Sequence, residues 1–297
     1  MGFGACVLWR YSSFSFSFRC LVPRHPDKDT ASHTINRKYL VREVLKCYRM
    51  LSKAKIKFIK SLQIKKYRRQ EQCFVVEGAK SVRELLSSDF ETIMLLGTTD
   101  FLSVNNVGNR VEVIEVTEKE LSGLGEFQTN DAALAVVRMK PNEDLKVKED
   151  EFALVLDDIR DPGNLGTIIR TADWFGINSI IASSETADFY SPKVISATMG
   201  SFTRIKIFYT NLEEYLQQTK QPVFGAYLDG VDIHRTTFGK GGLILIGNES
   251  NGIHPGLEKL VTGKFTIPKF GNAESLNAAI AVGIICDVVS SLKFRSE

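Results

Sequence analysis

The chain has 297 residues, enough for two domains at about 150 residues each. Hydrophobic residues make up 43% and charged residues 25%, which excludes wholesale disorder, a collagen-like fibre and a small disulfide scaffold. The net charge of +3 conceals an asymmetry: residues 1–70 carry 17 Lys/Arg and 3 Asp/Glu, a net of +14, and the remainder carries 21 and 32, a net of −11. A basic front on an acidic body points to a phosphate-rich partner, although a solvated charge run would have the same composition. No run of about 18 uninterrupted apolar residues occurs, so no membrane-spanning helix is expected.

The five cysteines, Cys6, Cys20, Cys47, Cys73 and Cys286, are odd in number and contain no C-x-x-C pair, so neither a disulfide framework nor a zinc cluster is expected. Cys286 lies in an apolar run and reads as a small core residue. The four histidines show no metal-ligand spacing.

Residues 1–49 are read as an extension outside the fold. Residues 1–26 contain no acid, three Arg and many Ser and Phe, a composition that a mitochondrial transit peptide or a mis-called start codon would produce. The first implies the mitochondrial matrix and the second the cytoplasm, which is the expected compartment.

From Met50 the elements follow in order. In residues 50–70, Leu51, Ala54, Phe58 and Leu62 recur at helical spacing, with Lys53, Lys57 and Lys60 on another side. This predicts one amphipathic basic helix with eight Lys/Arg and no acid, closed by Arg68 and Arg69. A strand over 74–77, a helix through Val82, Leu85 and Leu86, and strands near 93–96 and 111–116 follow. Thr117 and Glu120 have capping-box spacing, and 132–139 reads as a buried strand. Residues 50–140 are thus expected to form a small α/β domain. Residues 141–151 are polar and read as a linker.

A second α/β alternation occupies 152–297. Strands are predicted at 152–156, 179–182, 205–208, 223–228, 243–246 and 265–267. Helices are predicted from a turn at 161–166 to about 175, at 191–199, at 212–219 after Asn211, and at 276–294. This alternation implies a mostly parallel sheet with helices on both faces.

Three segments, each following a strand, carry chemistry. In the first, Asp161 to Arg170, Gly163 and Gly166 allow a tight turn and close approach to a ligand. The turn feeds a helix N-terminus that favours an anion, and Arg170 is placed to meet a phosphate. A plain strand–helix turn with a surface Arg would use the same residues. No Gly-Lys-Ser/Thr or G-x-G-x-x-G occurs, so ATP and NAD sites lose support. The second is Gly247-Asn248-Glu249-Ser250-Asn251-Gly252, with an acid between glycines at a strand end, where α/β sheets bind ligands; a polar turn is the plain alternative. The third runs from Ile267 to Asn277 into a helix that is almost uncharged. Ser275 is read as its N-cap, and Asn277 as a second capping position.

Together these segments resemble the three signature motifs of the SpoU-like, TrmH-type RNA 2′-O-ribose methyltransferases of the SPOUT superfamily. Asn164 to Gly176 matches N-x-G-x-x-x-R-x-A-x-x-F-G, Gly247 to Gly252 matches G-x-E-x-x-G, and Ile267 to Asn277 matches I-P-x-x-G-x-x-x-S-L-N. Residues 50–139 are similar to the family's L30e-like substrate-binding domain.

The resemblance implies a C-terminal α/β trefoil-knot domain, a homodimer and S-adenosylmethionine as methyl donor. It implies that Gly247, Ile267 and Leu276 contact that donor, with Asn248 and Leu245 nearby. It places Arg170 beside the ribose 2′-hydroxyl, with Asn164, Glu249, Ser275 and Asn277 completing the catalytic set. Glu249 is expected to pair with Arg170. No metal is implied. Lys53, Lys57, Lys60, Lys65, Lys66, Arg68 and Arg69 are then RNA phosphate contacts, with ribosomal RNA favoured over transfer RNA. Two rivals are a non-catalytic RNA-binding member of the same fold and a nucleotide-dependent α/β enzyme.

Overall fold

The computed structural model describes residues 51–294, except 106, 109, 127–129 and 131; the expected extension over residues 1–49 lies outside them. The basic segment is two helices, α1 (Lys53–Ser61) and α2 (Lys65–Glu71), and not the single helix expected. Leu62 is drawn completely into the core, which turns the chain. The carbonyls freed at the break, those of Leu62 and Gln63, accept hydrogen bonds from Arg68 Nη1 at 3.0 and 2.7 Å, so the helix end is capped by a side chain from the next helix. The buried stripe also differs from the spacing reading: Ile59 is buried and Ala54 is exposed.

The order continues β1 (Cys73–Glu77), α3 (Ala79–Leu86), β2 (Thr92–Gly97), α4 (Thr99–Val104), β3 (Glu112–Glu115), α5 (Glu118–Ser122) and β4 (Ala133–Arg138). The four strands form a sheet of order β1-β4-β2-β3, antiparallel except for β2 and β3. All five residues of β1 are buried, and its first four, Cys73 to Val76, read as an apolar run. Cys73 and Val75 face Ile59, Leu62 and Leu96, and Phe74 and Val76 face the other way, as a period of two requires. The capping box forms: Thr117 Oγ1 accepts from Glu120 N, and Glu120 Oε2 accepts from Thr117 N. The Thr117 N–H and hydroxyl, both donating to Glu120 Oε2, hold its carboxyl below the usual range.

The second sheet is built from β5 (Phe152–Leu156), α6 (Pro162–Trp174), β6 (Ser179–Ala182), α7 (Pro192–Thr198), β7 (Lys206–Tyr209), α8 (Leu212–Gln218), β8 (Val223–Asp232), β9 (Gly242–Ile246), α9 (Pro255–Glu258), β10 (Gly263–Thr266) and α10 (Ala278–Phe294). The six strands are all parallel, in the order β10-β8-β9-β5-β6-β7. The chain runs outward from β5 through β6 and β7, then crosses to build the other half. The order therefore reverses between β5 and β9, where a parallel sheet leaves a crevice at its carboxyl edge. Helix α8 begins after Asn211 as expected, with Asn211 Oδ1 accepting from Glu213 N at 3.0 Å. The segments α4 and α9 are too short to register as periodic patterns in the sequence.

One apolar core runs through both sheets. Phe74 meets Tyr190 and Phe202 at ring-centroid distances of 4.7 and 6.0 Å, and Phe90 meets Phe202 at 5.7 Å. Polar contacts add to it. Arg204 bridges Glu84 on α3 and Asp173 on α6 at 2.6 and 2.8 Å, and Arg68 on α2 reaches Asp188 at 2.6 Å. Residues 141–151 are not a free tether. Asn142 exchanges hydrogen bonds with the Tyr209 main chain at 2.8 and 2.9 Å, and Tyr215 donates to Leu145 O at 2.8 Å. The strip is strapped along the second sheet. Cys286 is fully buried, and that burial pushes its thiol up to about 12. Among the described residues no helix is long and apolar enough to cross a membrane.

Candidate active site

The first segment is helical from its start. Asp161 Oδ1 caps α6 by accepting from Asn164 N at 2.8 Å, and Pro162 occupies the first helical turn, where its missing N–H costs nothing. The expected turn through Gly163 and Gly166 is therefore absent. Gly166 is buried inside the helix, where a Cβ would lie 2.5 Å from that of Ala197 and 2.9 Å from Val194 O. Its job is to let α6 pack closely on α7, not to approach a ligand.

The second segment, after β9, is a tight loop closed by paired Asn248 and Gly252 main chains at 3.0 and 2.9 Å. Gly252 has a φ of 68°, a left-handed conformation natural to glycine. A Cβ on Gly247 would lie 2.2 Å from the Gly252 carbonyl carbon, so only glycine allows the closure. Asn248 is internal scaffolding: its Oδ1 accepts from Ser250 N and Asn251 N at 2.8 and 3.1 Å, and its Nδ2 donates to Asp158 O at 2.7 Å. The loop is thereby tied to the strand-end loop after β5. There Asp157 is buried, which pushes its carboxyl above the usual range against an opposing hydrogen bond from His254 N.

The third segment leaves β10 and enters α10 at Ala278. The cap is Asn277, whose Oδ1 accepts from Ala279 N and Ile280 N at 2.9 and 3.3 Å. Ser275 is exposed, two residues short of the helix. The cap expected at Ser275 is thus supplied by Asn277, because the helix starts two residues later than its apolar pattern. We expect Asn277→Ala to cost about 1 kcal/mol of stability through loss of this cap, read by urea unfolding.

Three of the five predicted catalytic residues meet. Asn164 Nδ2 donates to Glu249 Oε1 at 2.7 Å, and Asn277 Nδ2 donates to Asn164 Oδ1 at 3.0 Å. One side chain from each segment forms a chain of amides ending on a carboxylate, 85 and 113 residues apart along the sequence. Glu249 is therefore engaged by Asn164, and not by Arg170, the partner the resemblance implies. Arg170, the ninth residue of α6, is exposed and makes no ion pair within the described residues. Six residues beyond Asn164, it lies about 9 Å along the helix axis and about 120° around it, so it points away from the cluster.

Of the residues expected at the donor, Gly247 and Asn248 form the second loop. Leu245 is in the core with Val155 and Leu257, on a strand paired on both sides, with β5 and with β8. Ile267 is half-buried, and Leu276 is 47% exposed. From 268 to 276 no main-chain or side-chain group forms a hydrogen bond within the described residues. Phe270 in the same loop is 97% exposed. An exposed loop with unused main-chain donors and acceptors beside apolar side chains fits a nucleoside-bearing donor, whose base needs edge hydrogen bonds and apolar faces. Among the described residues no group of His, Cys, Asp and Glu suits a metal ion.

Of the basic residues, Lys53, Lys57, Lys60, Lys65, Lys66 and Arg69 are exposed. Arg68 is 3% exposed and bound to Asp188 and two carbonyls. It is a structural anchor and not an exposed cation, contrary to the expectation that it contacts a phosphate. Lys55 is not one of the free cations, since it pairs with Glu112 at 2.7 Å.

The model of the SpoU rRNA Methylase family matches residues 151–287. That of the MRM3-like substrate binding domain matches residues 53–135. The 23S rRNA (guanosine(2553)-2′-O)-methyltransferase RlmP of Bacillus subtilis is 30% identical over 235 residues, 78% of this chain and 94% of that protein.

The chain belongs to the SpoU rRNA methylase family.

Solved structures agree. A TrmH-family structure from Porphyromonas gingivalis superposes with a TM-score of 0.75 at 38% identity, covering 81% of this chain and 98% of that one. An AdoMet-bound rRNA methyltransferase from Sinorhizobium meliloti has a TM-score of 0.72 at 32% identity, covering 82% and 96%. The SpoU match runs from β5 into α10, and the match to the substrate-binding domain model runs from α1 into β4.

Proposed function

We infer that this SpoU-family protein is an S-adenosylmethionine-dependent RNA methyltransferase that adds a methyl group to a ribose 2′-hydroxyl of ribosomal RNA. The observation that carries this is the Asn164–Glu249–Asn277 hydrogen-bond chain, which draws the three signature segments to one crevice. S-adenosylmethionine, when bound, supplies a sulfonium methyl electrophile. The main chains of Gly247, Ile267 and Leu276 hold the donor, Asn248 keeps the second loop closed, and Leu245 supports it from the strand.

A ribose hydroxyl is a weak nucleophile at neutral pH, so this chain must orient it and ease loss of its proton. Arg170 is assigned to the adjacent phosphate and to electrostatic stabilisation of the developing oxyanion. A guanidinium stays protonated and is a poor base. Asn164, held by Glu249 and Asn277, orders the ribose, and Ser275 lines the substrate side.

The direction of Arg170 supports a homodimer in which the Arg170 of one subunit serves the partner's cluster. Trp174, one turn beyond Arg170 on the same face of α6, is 84% exposed, as a subunit contact would need. We further assign 50–140 to substrate binding, 141–151 to the connecting strap and 152–297 to a knotted catalytic domain. Lys53, Lys57, Lys60, Lys65, Lys66 and Arg69 bind phosphates, and the cytoplasm is the working compartment.

The test is methyl transfer from labelled S-adenosylmethionine to unmodified ribosomal RNA, with bulk transfer RNA in parallel. Label recovered as an alkali-resistant dinucleotide from ribosomal RNA is expected. Donor binding without label in either RNA would move the protein to the non-catalytic reading.

A further inference from the structure

Two large apolar side chains stand in the open on the basic helix α2 and its cap. Ile64 is 54% exposed and Tyr67 is 38% exposed. Three residues apart, they share one helix face. The exposed cations Lys65, Lys66 and Arg69 flank them, and the Lys66 ammonium lies 6.0 Å from the Tyr67 ring centroid. Tyr67 makes no side-chain hydrogen bond and no ring stack within the described residues. Phe74, Phe90 and Phe101 of the same part of the chain are instead buried.

The platform is held firmly from behind. Arg68, the next residue and about 100° further around the helix, projects into the body, where Asp188 and the Leu62 and Gln63 carbonyls hold it. Tyr67 is thus presented on an anchored element, so little ordering entropy is lost when it binds.

We propose that Tyr67 and Ile64 form a stacking platform for an unpaired RNA base, with Lys65, Lys66 and Arg69 holding the flanking phosphates. The RNA element that docks on α2 is a loop or bulge and not a continuous duplex. This rests on the RNA-binding reading of the basic helices. In an A-form duplex each base face is covered by its neighbours, and only an unpaired base can lay its face on an aromatic ring. Such stacking selects RNA structure more than sequence, because every base has a π-face.

The test is equilibrium binding of the full chain, over a salt series, to a hairpin with an unpaired loop and to a blunt duplex of equal phosphate number. The wild type is expected to favour the hairpin. Tyr67→Ala should weaken hairpin binding about ten-fold, within the range for one lost base stack, and leave duplex binding and the salt slope unchanged. Tyr67→Phe should restore it, and Ile64→Ser should weaken it in the same selective way. Both positions are exposed, so neither variant threatens the fold. Lys65→Ala should instead lower the salt slope by roughly one phosphate contact and affect both RNAs alike. Full hairpin affinity in Tyr67→Ala, or an equal loss on hairpin and duplex, overturns the platform while leaving the RNA reading in place. Wild-type protein that binds neither RNA, with no salt-dependent signal, overturns the RNA reading itself and the platform with it.

Discussion

Arg170→Ala should lower the rate of methyl transfer by roughly a hundredfold to a thousandfold, the usual effect of removing one charge-stabilising donor, while S-adenosylmethionine binding is unchanged. The reason is positional. Arg170 is a free guanidinium on the open face of α6, and none of the predicted donor-binding residues touches it. A mixing experiment separates two geometries. If Arg170 serves the partner's site, co-refolded Asn164→Ala and Arg170→Ala chains should recover about a quarter of wild-type activity, because half of the dimers carry one intact site. If it serves its own, the mixture stays inactive. Asn164 is the right partner in this test because it holds the centre of the amide chain, donating to Glu249 and accepting from Asn277.

The second large effect is expected at Arg68. Arg68→Ala would strand Asp188 and the Leu62 and Gln63 carbonyls in a poorly hydrated interface. Removing one partner of a buried pair costs about 3–5 kcal/mol, and a chain of this size loses roughly 10 °C or more of melting temperature from such a change. Arg68→Lys should recover only part, because an ammonium has no planar fork to span a carboxylate and two carbonyls. Thermal and urea unfolding of the three forms checks this. A melting temperature for Arg68→Ala equal to wild type would mean that α2 is not anchored through this pair. RNA affinity in Arg68→Ala should fall only as far as α2 itself is displaced, unlike Lys65→Ala, whose loss scales with salt.

Much of the fold was legible because its strands are buried on both faces. The runs at 152–156, 179–182 and 243–246 coincide with β5, β6 and β9, since a parallel sheet covered by helices demands continuous apolar residues. The capping box at Thr117 and the Asn211 cap were readable because a cap needs only local hydrogen bonds. Helix bounds were less legible. Asp161 starts α6 before the apolar pattern does, and Asn277 starts α10 after it, because caps and not hydrophobicity end helices. The basic segment broke at Leu62 through a tertiary demand, the burial of one leucine, that composition does not register.

The sequence by itself determined the chemistry available: the residue types of the three segments, the strand–helix alternation and the basic front are local and survive in any reading of the chain. Tertiary structure alone decided which of those groups meet. It joined Asn164 to Glu249 and Asn277 across 85 and 113 residues, turned Arg170 away from Glu249, and converted Arg68 from one cation among eight into a buried anchor. The physical reason is that a side chain's role depends on what desolvates and neutralises it. Partners distant in sequence supply that, and they are neighbours only once the sheet has ordered its strands.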